Sequence, residues 1–477
     1  MIRMTIADMM RATDAALVAG DKTTEFEGLD IDNRRVGKGG AFVAFAGERV
    51  DGNGFCAKAL EDGAAVVVMT AEPTDDVLEA ARRTGGAVVR AANDDGERFL
   101  LSLAKAWRDL HEDWTVVAVT GSVGKTTTKE MLAAGIGACR RVHATEGNFN
   151  SVLGVPLTLF RAPDDAEVLV VEMGMNHAGE LARMSTAARP DVAAITNVGT
   201  SHIGLLGSRQ AIADAKAEVV GGMRHESATP ALVLTATDDF ADYITRTYCE
   251  PAGVRVCAVG GVDGTVRATD VTFDDEGRAS FSLVFGDGRR LPGSLSLPGR
   301  AMVADLLSAM GVVDVLGLDR ERALEAIRTM RPARMRMNVQ QNPGTPRVID
   351  DSYNASPTSM AAGLDVLCSM ACEGRRVAVL GEMGELGQES TRLHAMVGAY
   401  AAAKGVDLLV LVGDEGAREM REAAVTMGFS EDSIELFGGA QEAARVMGPV
   451  LEAEDLVLVK ASRAVGLDQF AREVLGQ

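Results

Sequence analysis

The segment AVTGSVGKTTTKEM, residues 118–131, gathers the residue types that hold nucleotide phosphate. Gly121 and Gly124 permit a tight turn whose amides face one anion, Lys125 supplies a cation, and Thr126 offers a hydroxyl suited to magnesium. Gly121, Ser122, Val123, Gly124, Lys125, Thr126 and Thr127 would form the cradle. The spacing departs from the usual G-x-x-x-x-G-K-[ST], which would place its first glycine at Val119.

Other polar residues stand directly after apolar runs. Glu172 closes VLVVE, while Asn197 and His202 follow VAAIT. A carboxylate, an imidazole and the Thr126 hydroxyl on neighbouring strand ends suit magnesium around nucleotide phosphates. Taken singly, Glu172 reads equally as a solvated strand end and His202 as a packing or capping residue. Their position behind a phosphate loop favours the joint site.

Lys216, in RQAIADAKAEVV, reads by default as a solvated lysine on a helix. Asn148 and Asn150 in EGNFNSVLGVP, and Asp351 with Asn354 in VIDDSYNASPTSM, suit ribose, sugar or peptide hydrogen bonds, or equally turn chemistry. Lys460 and Arg463 in LVLVKASRAVGL would form a cationic pair able to receive a substrate carboxylate.

These residues need strands that end where they begin. Strand-like runs alternate with helix-like ones along the chain, the pattern of α/β layers with mostly parallel sheets, in which ligands bind beyond the carboxyl ends of strands. Strands are predicted at residues 115–119, 168–171, 192–196, 348–349, 377–380, 408–412 and 456–459, and a helix over 127–138. Three domains follow: 1–110, a small α/β unit; 111–330, which carries the phosphate loop; and 331–477, a dinucleotide-fold-like unit.

The 477 residues suffice for three domains, and 47% are hydrophobic. With 48 basic and 68 acidic residues the formal charge is -20, which argues against a broad nucleic-acid or anionic-membrane surface. No run reaches the roughly 18 apolar residues of a membrane span, so a cytoplasmic protein without membrane insertion is expected. Six scattered cysteines read as structural thiols.

The motifs GSVGKTTTKEM, EGNFNSVLGVPLTLF, VEMGMNHAGE, RPDVAAITNVGTSHI, AKAEVV, IDDSYNASPTSM, LGEMGELG with His394 behind it, and VKASR resemble, in this order, those of the Mur ligase family. The resemblance spans all three segments and implies a three-domain architecture: a UDP-substrate-binding N-terminal domain, a central P-loop ATPase-like domain and a C-terminal Rossmann-like ligase domain. The family's own phosphate loop is shortened in the same way.

The resemblance further implies an ATP-dependent ligase that joins D-alanyl-D-alanine to UDP-N-acetylmuramoyl-tripeptide through an acyl phosphate, acting as a monomer. Its cofactors would be ATP and two magnesium ions. Thr126, Glu172, His202 and a carbamylated Lys216 would ligate metal, Arg334 would reach the γ-phosphate, and Asp351 would hold the ribose. Asp32, Arg34 and Gly47, within IDNRRVGKGGAFVAFAGERVDGNGF, would contact the UDP moiety. Asn148, Asn150, Asn176, His177 and Asn354 would line the peptide cleft.

Where family members often show G-x-H-N-x-x-N near the adenine end, this chain has PGRAMVADL, with Ala301, Met302 and Asp305 in the polar positions. Alternative readings are the family member that adds the third peptide residue, a folate polyglutamylating ligase, and a regulatory P-loop ATPase. The first lacks support because DDSYNASP replaces a D-N-P-R motif, the second because of the separate N-terminal segment.

Overall fold

The run TVVAVT forms the strand Thr115–Thr120, buried on both faces as expected at the centre of a parallel sheet. It pairs in parallel with Val168–Glu172 on one side and Val192–Ile195 on the other. The strand continues through Val119, where the longer loop form would have its first glycine, so the turn is confined to residues 121–124. The helix Lys125–Gly137 follows at once.

The computed structural model describes residues 1–47, 50–225 and 230–477. Around the central strand, Val142–Ala144, Val168–Glu172, Thr115–Thr120, Val192–Ile195, Ala231–Thr235 and Arg255–Val259 form a parallel array. Three strands, Val266–Phe273, Arg278–Phe285 and Arg290–Pro298, extend that array into a nine-stranded sheet, the last two antiparallel to their neighbours. The apolar helix Arg300–Val315 packs on this sheet and against Lys125–Gly137.

Before it lies a five-stranded sheet, residues 16–90, parallel except for Ala16–Ala19. After it lies a six-stranded sheet, residues 338–460, parallel except for the edge strand Asn338–Gln340. The succession of three α/β sheets expected from the sequence is the plan observed. The first connection runs from helix Gly96–Asp109 to the strand at Thr115, and there the His111 ring stacks on Trp114 with centroids 4.1 Å apart. Arg108, buried beside it, pairs with Asp191 at 3.2 Å. Among the described residues no helix is long and apolar enough to cross a membrane, and the six cysteines are free thiols.

Candidate active site

The phosphate loop and the ends of the two strands flanking it open into a cleft of about 630 Å³. Its wall includes Lys125, Thr126, Glu172 and His202 from the central domain, and Arg336, Asp351 and Asn354 from the C-terminal domain. The two domains therefore enclose one cavity.

The loop is shaped by its glycines. Gly124 has φ +87°, and a Cβ there would stand 2.2 Å from Asp305 Oδ1, so only glycine fits. Lys125 Nζ donates to the Gly121 carbonyl at 2.8 Å, folding back over the turn. Burial, offset in part by Glu172, lowers its pKa. Asn197 braces the same turn from the next strand: its Oδ1 accepts from Val123 N at 3.1 Å and its Nδ2 donates to Val123 O at 2.9 Å. Asn197 thus shapes the loop through its side chain.

Glu172 is 1% exposed and asymmetric in its contacts. Its Oε1 accepts from Asn150 Nδ2 at 2.7 Å and from Thr126 Oγ1 at 3.2 Å. Its Oε2 is buried with no hydrogen-bond partner. A buried carboxylate oxygen left without a donor, beside a threonine hydroxyl and a phosphate loop, suits a hard divalent cation. The residues present fit magnesium, although no group of three His, Cys, Asp or Glu side chains gathers as a metal cluster among the described residues.

Lys216 is not the solvated helix lysine of the default reading. It lies on helix Arg209–Ala217, is 1% exposed, and is not among the residues lining the cleft. Burial, and next the charge of Lys125, push its pKa well below the ordinary lysine value.

Several expected residues sit elsewhere than anticipated. Arg334 is exposed and outside the cleft wall; Arg336, two residues on, lines it and stacks its guanidinium 4.3 Å from the Tyr353 ring. The segment 331–337 has little regular structure, so residue spacing could not tell which arginine turns inward. Lys460 and Arg463 do not form a carboxylate-binding pair. Lys460 is buried, paired with Asp351 and donating to Asn354 O at 3.0 Å, while Arg463 is exposed and pairs with Asp468. The carboxylate of Asp351 is correspondingly occupied, accepting from Lys460 and, at 3.1 Å, from Met337 N.

Asn176 and Asn354 line the cleft, whereas Asn148 and His177 are exposed outside its wall. Asp32 and Arg34, in the N-terminal domain, bind each other through two hydrogen bonds of 2.9 and 2.7 Å. Arg34 thereby holds the Asp32 carboxyl down at about 2. Gly47 is exposed, and its N donates to Val50 O at 3.0 Å. None of these three reaches the cleft wall.

Two residues to which the sequence assigns no role there also belong to the site, Asp305 marking only a departure near the adenine end. Asp305 is 6% exposed, lines the cleft behind Gly124, and burial pushes its carboxyl up to about 8. Glu385, in the turn ELG, approaches His202, whose imidazole holds its carboxyl below the ordinary value. The glycine-rich turn after a strand was the available signal for Glu385.

Three family descriptions match in chain order: the Mur ligase catalytic domain over residues 25–105, the Mur ligase middle domain over 119–313, and the Mur ligase glutamate ligase domain over 335–463. A UDP-N-acetylmuramoyl-tripeptide–D-alanyl-D-alanine ligase of Bacillus subtilis is 30% identical, the alignment covering 100% of this chain and 99% of that protein. The chain belongs to the Mur ligase family. Among solved Mur ligases, MurF from Acinetobacter baumannii superposes with a TM-score of 0.88 at 28% identity, covering 100% of this chain and 99% of that one. The MurF ligase from Thermotoga maritima, in complex with ADP, gives a TM-score of 0.78 at 26% identity over 94% and 97% of the two chains. As a Mur ligase, the protein is an ATP-dependent amide ligase, and the phosphate loop is where its nucleotide chemistry belongs.

Proposed function

We propose that this protein joins D-alanyl-D-alanine to UDP-N-acetylmuramoyl-tripeptide with consumption of ATP, giving the UDP-muramoyl-pentapeptide precursor of peptidoglycan. The observation that carries it is a phosphate loop and the half-partnered Glu172 carboxylate facing one cleft closed by the C-terminal domain. Full-length likeness to ligases of that specificity supports the choice of substrates. A single chain supplies these residues, and the use of ATP supports a reaction in the cytoplasm.

The tripeptide's terminal carboxylate attacks the γ-phosphorus of ATP, the bond to the bridging oxygen breaks, and ADP leaves. Lys125 and the amides of residues 121–127 offset the repulsion between two anions, and Arg336 stands on the facing wall to share that task. The neutral amine of the dipeptide then attacks the acyl carbon, loses a proton, and phosphate departs. Glu172, Thr126 and His202 would hold magnesium, which would supply charge neutralisation along the phosphates.

Lys216 enters the reading as a carbamate. Burial and the charge of Lys125 favour its neutral amine, and bond formation between that amine and carbon dioxide, with loss of one N–H proton, places an anion beside Lys125. Two oxygens of the kind magnesium prefers result.

The test incubates the protein with ATP, magnesium, UDP-muramoyl-tripeptide and D-alanyl-D-alanine. Phosphate release that requires both acceptor and dipeptide, with a pentapeptide product, is expected. Phosphate release indifferent to them would refute the reading in favour of a regulatory ATPase. Diaminopimelate and lysine acceptors run in parallel define the third residue.

A further inference from the structure

His202 belongs to the central domain, yet the charged group against it comes from the C-terminal one. Glu385 sits in the turn after strand Arg376–Gly381, and its carboxylate lies 2.5 Å from His202 Nδ1. That nitrogen is buried and makes no aligned hydrogen bond among the described residues, so the Glu385 carboxylate is the charged group nearest to it without yet being squared to the ring. Beside this contact the two backbones meet: Gly204 N donates to Glu385 O at 3.0 Å. A Cβ on Gly204 would stand 2.4 Å from Gly387 N and 2.7 Å from Leu386 C. No side chain intervenes, so the position of Glu385 relative to His202 is set by main chain on both sides.

The turn is held from behind as well. Buried His394 accepts from Met383 N at 2.9 Å through Nε2, while its Nδ1 lies 2.9 Å from Ser390 O, which fixes a neutral tautomer. Glu382 Oε1 accepts from Asp414 N at 3.0 Å and Gly416 N at 2.8 Å. Glu385 is therefore presented on a braced support.

We propose that Glu385 is a positioning residue for phosphoryl transfer, delivered onto His202 Nδ1 when the C-terminal domain closes. The carboxylate keeps the ring proton on Nδ1 and leaves the Nε2 lone pair directed to the site. A carboxylate behind a ligating imidazole raises its basicity and fixes its orientation. The inference rests on reading His202 as a ligand of the phosphate-bound cation. An open particle holds His202 without its orienting partner, so the cleft becomes competent only when closed.

The test compares unaltered protein with Glu385→Gln and Glu385→Asp. Glu385→Gln should keep the KM for ATP within about twofold, lower kcat by about tenfold or more, and raise the magnesium concentration for half-maximal rate. Glu385→Asp should recover part of the rate. In a His202→Ala background the same change should cost almost nothing, since both act through one ring. Independently of turnover, hydrogen exchange of the segment around Gly204, measured with an ATP analogue and magnesium, should quicken in Glu385→Gln. Near-normal kcat, full additivity with His202→Ala, or unchanged exchange would each overturn the proposal. If the unaltered protein makes no pentapeptide, the ligase reading fails, and the exchange comparison still decides whether Glu385 holds the domains together.

Discussion

Lys125 is folded back onto Gly121 O in a buried setting, and a γ-phosphate is the anion that would draw its ammonium forward. Lys125→Ala is expected to lower turnover by about a hundredfold or more while thermal unfolding stays unchanged, because the lost cation acts in the transition state and not in the core. Steady-state kinetics with a melting curve checks both halves. For Lys216, a carbamate predicts that Lys216→Ala nearly abolishes ligation and that formate, a small carboxylate able to fill the vacated space, restores part of it. A variant with near-normal rates would sink the idea. Asp305 makes a prediction about pH. Its folded pKa of about 8 lies far above that of the unfolded carboxyl, near 4. Between those values the unfolded chain has released the proton and the folded one retains it, so this group's contribution to stability declines as pH rises. Asp305→Asn has no proton to lose. Its stability relative to the unaltered protein should therefore improve from pH 5 to pH 8 in denaturant titrations, and a flat difference would refute a buried neutral acid.

At the scale of elements, strand ends were the most legible feature. The run at 115–119 became Thr115–Thr120, and Leu408–Val412 matched its expected limits, because continuous β-branched runs bounded by glycine and polar residues leave few alternatives. The residues at the carboxyl ends of such strands, from Gly121 to Thr127 and at Glu172, were legible for the same reason. The meander from Val266 to Pro298 was passed over although its alternating pattern and the DDEG and GDG turns are a hairpin signature. Pairings across domains were not legible: nothing local in MRPARMRM separates Arg336 from Arg334, and nothing in VKASR shows that Lys460 is committed to Asp351. Such facts depend on tertiary approach. The loop-to-helix joint gives its own test. Gly124→Ala would force a side chain into both a left-handed backbone and the Asp305 carboxylate. A cost of about 1–3 kcal/mol in stability and loss of nucleotide binding by calorimetry are expected; wild-type affinity would mean the loop rearranges freely.

Over the whole molecule, the cleft lies between the central and C-terminal domains, so a swing of the C-terminal domain would widen or narrow it. In solution scattering the ligand-free protein should be more extended than the protein saturated with an ATP analogue, magnesium and acceptor. An identical radius under both conditions would mean that the cleft fills without a hinge.

The bare main-chain contact at Gly204 offers a handle on that motion. Its backbone tolerates any residue, and the atoms a Cβ would strike there belong to the opposite domain. Gly204→Ala is thus a wedge: each domain keeps its own interior, but the jaws cannot meet. Such a variant would be a reagent in its own right, a protein jammed ajar, suited to crystallising the gaping form and to screening for compounds that bind it. It should bind nucleotide by calorimetry yet fail to compact in scattering, and compaction like that of the unaltered chain would show that the jaws can close around the added methyl group.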